Sequence, residues 1–138
     1  MKPILDICYG SRMFYFDQQD NRILFNNIRS EEHILCNGRI FKITPDIISD
    51  FKNLPFSDNS FYQVLFDSSH LIRAGKNSWM FKKYGSLIRD SWRNDLKRRF
   101  LEAFQVLKSN ERLIFKWSET QIPTKQILDL TNEKTIVI

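Results

Sequence analysis

The sequence predicts an α/β fold in which a mostly parallel, twisted sheet carries helices on both faces. Short apolar runs of strand length recur along the chain, as in "ILDICYG" at Ile4–Gly10 and "QVLFDSSH" at Gln63–His70. Between later runs, Ile88, Trp92, Leu96, Phe100, Phe104 and Leu107 recur at intervals of four and three, the mark of an amphipathic helix lying on a sheet. Strands that alternate with helices favour parallel pairing with crossover connections.

Each element has its own reason. The first strand spans Pro3–Cys8, apolar at Ile4, Leu5 and Ile7, and Tyr9-Gly10-Ser11-Arg12 stops it. Arg12–Gln19 is long enough for two helical turns, and Ile23–Ile28 reads as the second strand, together a βαβ unit with a shortened helix. Asn37-Gly38 between two short alternating runs is a hairpin signal, because both residues accept the positive φ of a tight turn. Asp46–Phe51 is the third strand and Ser60–Asp67 the fourth. The helix covers Leu87–Leu107, with Ser109-Asn110 as its breaker. Arg112–Trp117 is the fifth strand, Pro123 opens a short helix through Leu130, and "TIVI" is the sixth strand.

With 138 residues the chain is read as a single domain, 1–138, without internal repeat or low-complexity segment. Apolar residues are 42% and aromatics 14%, with twelve Phe, which argues against disorder. The excess of 21 Lys and Arg over 16 Asp and Glu, net +5, favours polyanionic partners. No apolar run reaches the length of a membrane span, and Cys8 and Cys36 are too few for a disulfide framework, so a cytoplasmic setting is expected. Those cysteines with His33 and His70 lack metal-ligand spacing, and no metal is expected.

Two acids mark the expected site. In open α/β sheets ligands sit beyond the carboxyl ends of the strands, where the strand order reverses. Asp6 and Asp67 close the first and fourth strands, the pair that flanks such a crevice if the chain winds out one way and then the other.

These residues resemble a known family, the class I S-adenosylmethionine-dependent methyltransferases. "ILDICYG" is similar to its first-strand motif, "LPFSDNSF" at Leu54–Phe61 to the lead into the fourth strand, and "LEAFQVLKSNERLIF" at Leu101–Phe115 to its helix and fifth strand. "CYGSRMF", "HLIRAG", "SWMFKKYG" and "FKWSETQIP" resemble a small bacterial and phage-borne subgroup related to amino-directed DNA methyltransferases. The resemblance implies a Rossmann-like methyltransferase fold with S-adenosylmethionine as cofactor. It implies that Asp6 and Gly10 shape the cofactor turn, that Asn27 meets the ribose and that Asp50 lies near the adenine, a plain loop Asp being an equal reading of Asp50. Asp67 and the Ser68 carbonyl would orient a target amine, and His70 would pack on an extruded base.

The chain departs from that pattern in three places. Asn26-Asn27 stands where the family has an acid for the ribose, and a neutral acceptor bonds less strongly than an ionised one. "DSSH" replaces two prolines by Ser68 and Ser69, so the turn is less preorganised, and capping of a turn by Asp67 is an equal reading. The usual antiparallel last strand is not expected, so that either the sixth strand pairs differently or an edge stays open, which would suit a homodimer or a protein partner.

After "DSSH" come Arg73, Lys76, Lys82 and Lys83 with Trp79, Phe81 and Tyr84, a mixture suited to neutralising phosphates and stacking bases. Arg89, Arg93, Lys97, Arg98 and Arg99 fit a solvated helix face instead. Two functions fit the sequence: methylation of an exocyclic amine of a nucleic-acid base, DNA ahead of RNA, or a catalytically inactive relative, phage-borne or on a mobile element, that binds nucleic acid or protein.

Overall fold

The computed structural model describes residues 2–7, 16–27, 31–34, 38, 40–43, 45–50, 52–67, 90–119 and 121–135, with the backbone alone at 31–34 and 40–43. Strands β1 (Ile4–Asp6), β2 (Ile23–Asn27), β5 (Ile47–Ile48), β6 (Phe61–Asp67) and β7 (Leu107–Lys116) form one sheet in the order β5-β2-β1-β6-β7. Every pair in it is parallel. The chain therefore steps outward from β1 through β2 to β5, then returns to the other side of β1 for β6 and β7. That reversal is the topological switch of a Rossmann-like α/β sheet, and it falls between β1 and β6.

A separate antiparallel ribbon joins β3 (Glu31–Ile34) to β4 (Ile40–Ile43). Gly38 at φ 81° supplies the positive φ that the Asn37-Gly38 pattern predicts; Asn37 lies outside the described residues.

Period-two alternation divides the sheet into two faces. Leu5 on β1 and Ile7 just after it, and Val64 and Phe66 on β6, all fully or nearly fully buried, point to one side. Helix α1 (Trp92–Val106) covers that side with Trp92, Leu96, Phe100, Ala103 and Val106, and the short helix α2 (Thr124–Leu128) adds Ile127 to the same core. Phe66, Phe100 and Phe115 meet edge to face with centroids 5.1–5.2 Å apart, a favoured arrangement for aromatic rings. The two buried rings, Phe66 and Phe100, each contribute about 1.5–3 kcal/mol through burial, and the half-buried Phe115 less.

The ends of α1 are set by different means. At the start, the Asp95 N–H donates to the Ser91 carbonyl at 2.9 Å, and Asp95 in the first turn complements the positive end of the helix dipole. At the finish, the carbonyls of Gln105 and Val106 accept the backbone N–H groups of Asn59 and Ser60 at 3.0 and 2.8 Å. The approach to β6 thus caps α1, and the chain turns extended at Leu107 without a loop. The sequence places the breaker at Ser109-Asn110, but the helix has already ended; Asn110, at φ 65°, instead bends the first part of β7. The loop before β6 is held to α1 again by Glu102, whose carboxylate accepts the Leu54 N–H at 3.3 Å and the Arg98 guanidinium at 3.0 Å.

β6 contains an irregularity at its start. The N–H groups of both Tyr62 and Gln63 point at the Pro3 carbonyl, at 2.9 and 3.4 Å, so two residues oppose one. Phe61 and Val64, three apart, are consequently both buried in the α1 core, and Tyr62 is turned out to solvent.

Other boundaries differ from the sequence reading. Phe16 to Gln19 form turns rather than helix: the Gln19 N–H donates to Asp17 Oδ1 at 2.9 Å, and Phe16 is fully exposed. The third strand contracts to Ile47–Ile48, and the amides of the flanking Asp46 and Ser49 hold it to the β2 carbonyls of Phe25 and Asn27. The helix begins at Trp92, residues 87–89 lying outside the described set, as do 136–138 of "TIVI". Just before β2, Arg22 clasps Asp20 through its Nε and Nη2, the latter at 2.6 Å, and this bond holds the Asp20 carboxyl at a pKa of about 2.

Candidate functional site

The register brings the predicted acids together. Asp6 pairs with Phe25 on one side and Leu65 on the other. Residues two apart share a face, so Asn27 and Asp67 stand diagonally either side of Asp6 on the same face, at the carboxyl edge, each about 8 Å away at Cα. All three are buried: Asp6 is 0% exposed, Asn27 6% and Asp67 7%. Three polar side chains thus line the switch point on the face opposite the α1 core.

A cation completes the row. Lys116 is the partner of Asp67 in the β6–β7 register, and its Nζ lies 3.6 Å from Asp67 Oδ2. No motif in the sequence points to Lys116. Only the register, which depends on how β7 enters after its bend, sets it beside Asp67.

Asn26 has a structural task. Fully buried on the other face, its Nδ2 donates to the Ile7 carbonyl at 2.9 Å and to the Ser49 carbonyl at 3.3 Å, and its Oδ1 accepts the Ser49 hydroxyl. One amide therefore ties together the carboxyl ends of β1, β2 and β5. Asn27 is left as the member of the pair that shares a face with Asp6.

Asp50 shapes a turn: its Oδ1 accepts the Lys52 N–H at 2.8 Å, and its carbonyl accepts the Asn53 N–H at 2.9 Å. It follows Ser49 directly and so stands near the same edge of the sheet, beyond β5. Gly10, Ser68, His70, Arg73, Lys76, Trp79, Lys82 and Lys83 lie outside the described residues. On α1, Arg93 rests 4.3 Å from the Trp92 ring, and Arg98 donates to the Lys52 carbonyl at 3.0 Å and to Glu102. These two serve the helix surface, as its charge pattern predicts.

A groove of about 280 Å³ lies between α1 and the segment after α2, walled by Lys97, Phe100, Leu101 and Asp129 among others. It does not include Asp6, Asn27 or Asp67. Among the described residues no helix is long and apolar enough to cross a membrane.

No protein-family model and no curated protein matches the chain. Among solved structures, the PH0226 protein from Pyrococcus horikoshii OT3 is similar over 92% of this chain, with 16% identity and a TM-score of 0.49. The chain spans about half, 50%, of the length of that structure. The fold assignment rests on the strand order and parallel register given above.

Proposed function

We propose that the protein is a class I S-adenosylmethionine-dependent methyltransferase acting on an exocyclic amine of a nucleic-acid base, DNA ahead of RNA. One observation carries the reading: Asp6, Asn27 and Asp67 line a single face at the switch point between β1 and β6. The residues suit the cofactor, since two carboxylates and an amide oxygen offer acceptors to ribose hydroxyls and an ammonium group. When bound, the cofactor supplies a methyl group on a sulfonium.

The chain's own residues then hold and orient. Asn27 accepts from the ribose, and Asp6 fixes the first turn of the pocket. The Asp67 carboxylate accepts one N–H of the target amine, with the Ser68 carbonyl as acceptor for the second. The nitrogen lone pair is thereby aimed at the methyl carbon. With S-adenosylmethionine bound, its sulfonium would supply the methyl group, and Asp67 with the Ser68 carbonyl would hold the amine nitrogen toward it while water takes up the released proton. Such orientation accounts for much of the rate in a displacement without acid–base chemistry.

The pairing of Lys116 with Asp67 supports a second reading, a catalytically inactive relative that keeps the fold and binds nucleic acid. A carboxylate already facing an ammonium group is a weaker acceptor for an amine, and neutral Asn27 lowers affinity for the cofactor. Calorimetry with S-adenosylmethionine, followed by transfer of labelled methyl to oligonucleotides, separates the two. Micromolar binding together with transfer that Asp67→Asn abolishes supports the enzyme; absence of cofactor binding with oligonucleotide binding retained supports the second reading.

A further inference from the structure

The sheet face that carries Asp67 is exposed along β7, while Gln63 and Leu65 beside it on β6 are half-buried and Asp67 itself is buried. Ile114 and Tyr62 are 51% and 57% exposed, Arg112 is exposed, and the Lys116 side chain is 55% exposed. Register sets Arg112, Ile114 and Lys116 opposite Gln63, Leu65 and Asp67, so cation, apolar residue and cation alternate outward along one strand. The irregularity at Tyr62 and Gln63 brings the Tyr62 ring to the same face, with Lys108 Nζ 5.0 Å from its centroid. The result is a stripe from Tyr62 and Lys108 near the amino edge to Lys116 at the acid row. From Arg112 to Lys116 it runs about 13 Å.

We propose that this stripe is a track for single-stranded nucleic acid, leading the strand toward Asp67. Charge selects the occupant. Lys108, Arg112 and Lys116 call for a polyanion, and an exposed ring between cations stacks on a base. A duplex hides its base faces inside the stack. A symmetric dimer through this face would set Arg112 and Lys116 against their own copies, which like-charge repulsion opposes. The inference rests on the nucleic-acid part of the proposed function and assigns the contact to residues of β6 and β7.

The test is fluorescence anisotropy of a labelled mixed-sequence single-stranded DNA of twenty nucleotides with the full chain, repeated across salt concentration. Tyr62→Ala is expected to weaken binding roughly tenfold through lost stacking. Arg112→Glu is expected to weaken it by at least as much and to flatten the dependence of log affinity on log salt by about 0.7 for the lost phosphate contact. Lys125→Glu, on exposed α2, makes the same change in net charge away from the stripe and is expected to alter affinity less than twofold. Ile114→Asp serves as the second apolar variant if Tyr62→Ala melts early. Equal loss in Lys125→Glu, or no loss in Tyr62→Ala and Arg112→Glu, overturns the track while leaving nucleic-acid binding intact. Wild-type protein that binds no oligonucleotide overturns the nucleic-acid reading as well. A dimer that Arg112→Glu dissociates assigns the face to self-association instead.

Discussion

Lys116 and Asp67 face each other across β6 and β7, Nζ to Oδ2 at 3.6 Å, with the carboxylate buried and the ammonium group half in water. The pair couples the last residue of β6 to the last of β7 at the edge where the proposed chemistry takes place. Solvent around Lys116 screens the attraction, so the coupling is modest. A double-mutant cycle of Lys116→Met and Asp67→Asn, followed by urea denaturation, is expected to give about 0.5–1 kcal/mol, decreasing as salt is added.

Asn26 is expected to matter more to folding. Asn26→Ala removes the donor shared by the Ile7 and Ser49 carbonyls and the acceptor of the Ser49 hydroxyl, stranding polar groups in a dry setting. The expected cost is about 2–4 kcal/mol in chemical denaturation. Asn26→Asp is expected to destabilise too, since a carboxylate would confront two carbonyl oxygens; stability equal to wild type in either variant contradicts the clamp.

Asn27→Asp probes the neighbouring position from the opposite direction. An ionised acceptor strengthens a hydrogen bond to ribose by about 1 kcal/mol, so calorimetry is expected to give roughly fivefold tighter S-adenosylmethionine binding. The same change buries a second charge diagonal to Asp6, so the melting temperature is expected to fall. Tighter binding with a lower melting temperature is the predicted signature.

The turn before β2 supplies a pH test. Arg22 holds the folded Asp20 pKa at about 2 against an ordinary value of 3.8. A carboxyl depressed in the folded state adds stability that is fully present above 3.8 and is lost as pH falls from there toward 2. A side-chain carboxyl titration by NMR is expected to place the Asp20 midpoint near 2 and, in Arg22→Met, higher but still below 3.8, because the backbone N–H at position 22 still donates to Asp20 Oδ1 at 2.9 Å. An unchanged midpoint in the variant refutes the assignment to the guanidinium.

Much of the scaffold was legible because its signals are local. Alternation at Ile4–Ile7 and Val64–Phe66 marks strands, the spacing from Trp92 to Phe104 marks the helix, and Asn37-Gly38 marks the hairpin. The adjacency of Asp6 and Asp67 followed from strand order alone. What escaped depends on distant partners. The end of α1 at Val106 has no glycine or proline to announce it, because the amides of Asn59 and Ser60 close it from another part of the chain. Lys116 acquires its place beside Asp67 only through inter-strand register, and Asn26 is distinguished from Asn27 only by which face each presents.

The doubled residue opposite Pro3 also limits how this chain tolerates changes in length. Three residues before Val64, Phe61 belongs to the interior only because β6 carries one residue more than its neighbour at that point. Excising Tyr62 or Gln63 alone would restore plain alternation and leave Phe61 two residues before Val64, still on the buried face, whereas excising both would set the two side by side and swing Phe61 into water. A chimera joined inside β6 must therefore match its spacing to the doubled residue, with two residues between Phe61 and Val64 where it is kept and one where it is lost.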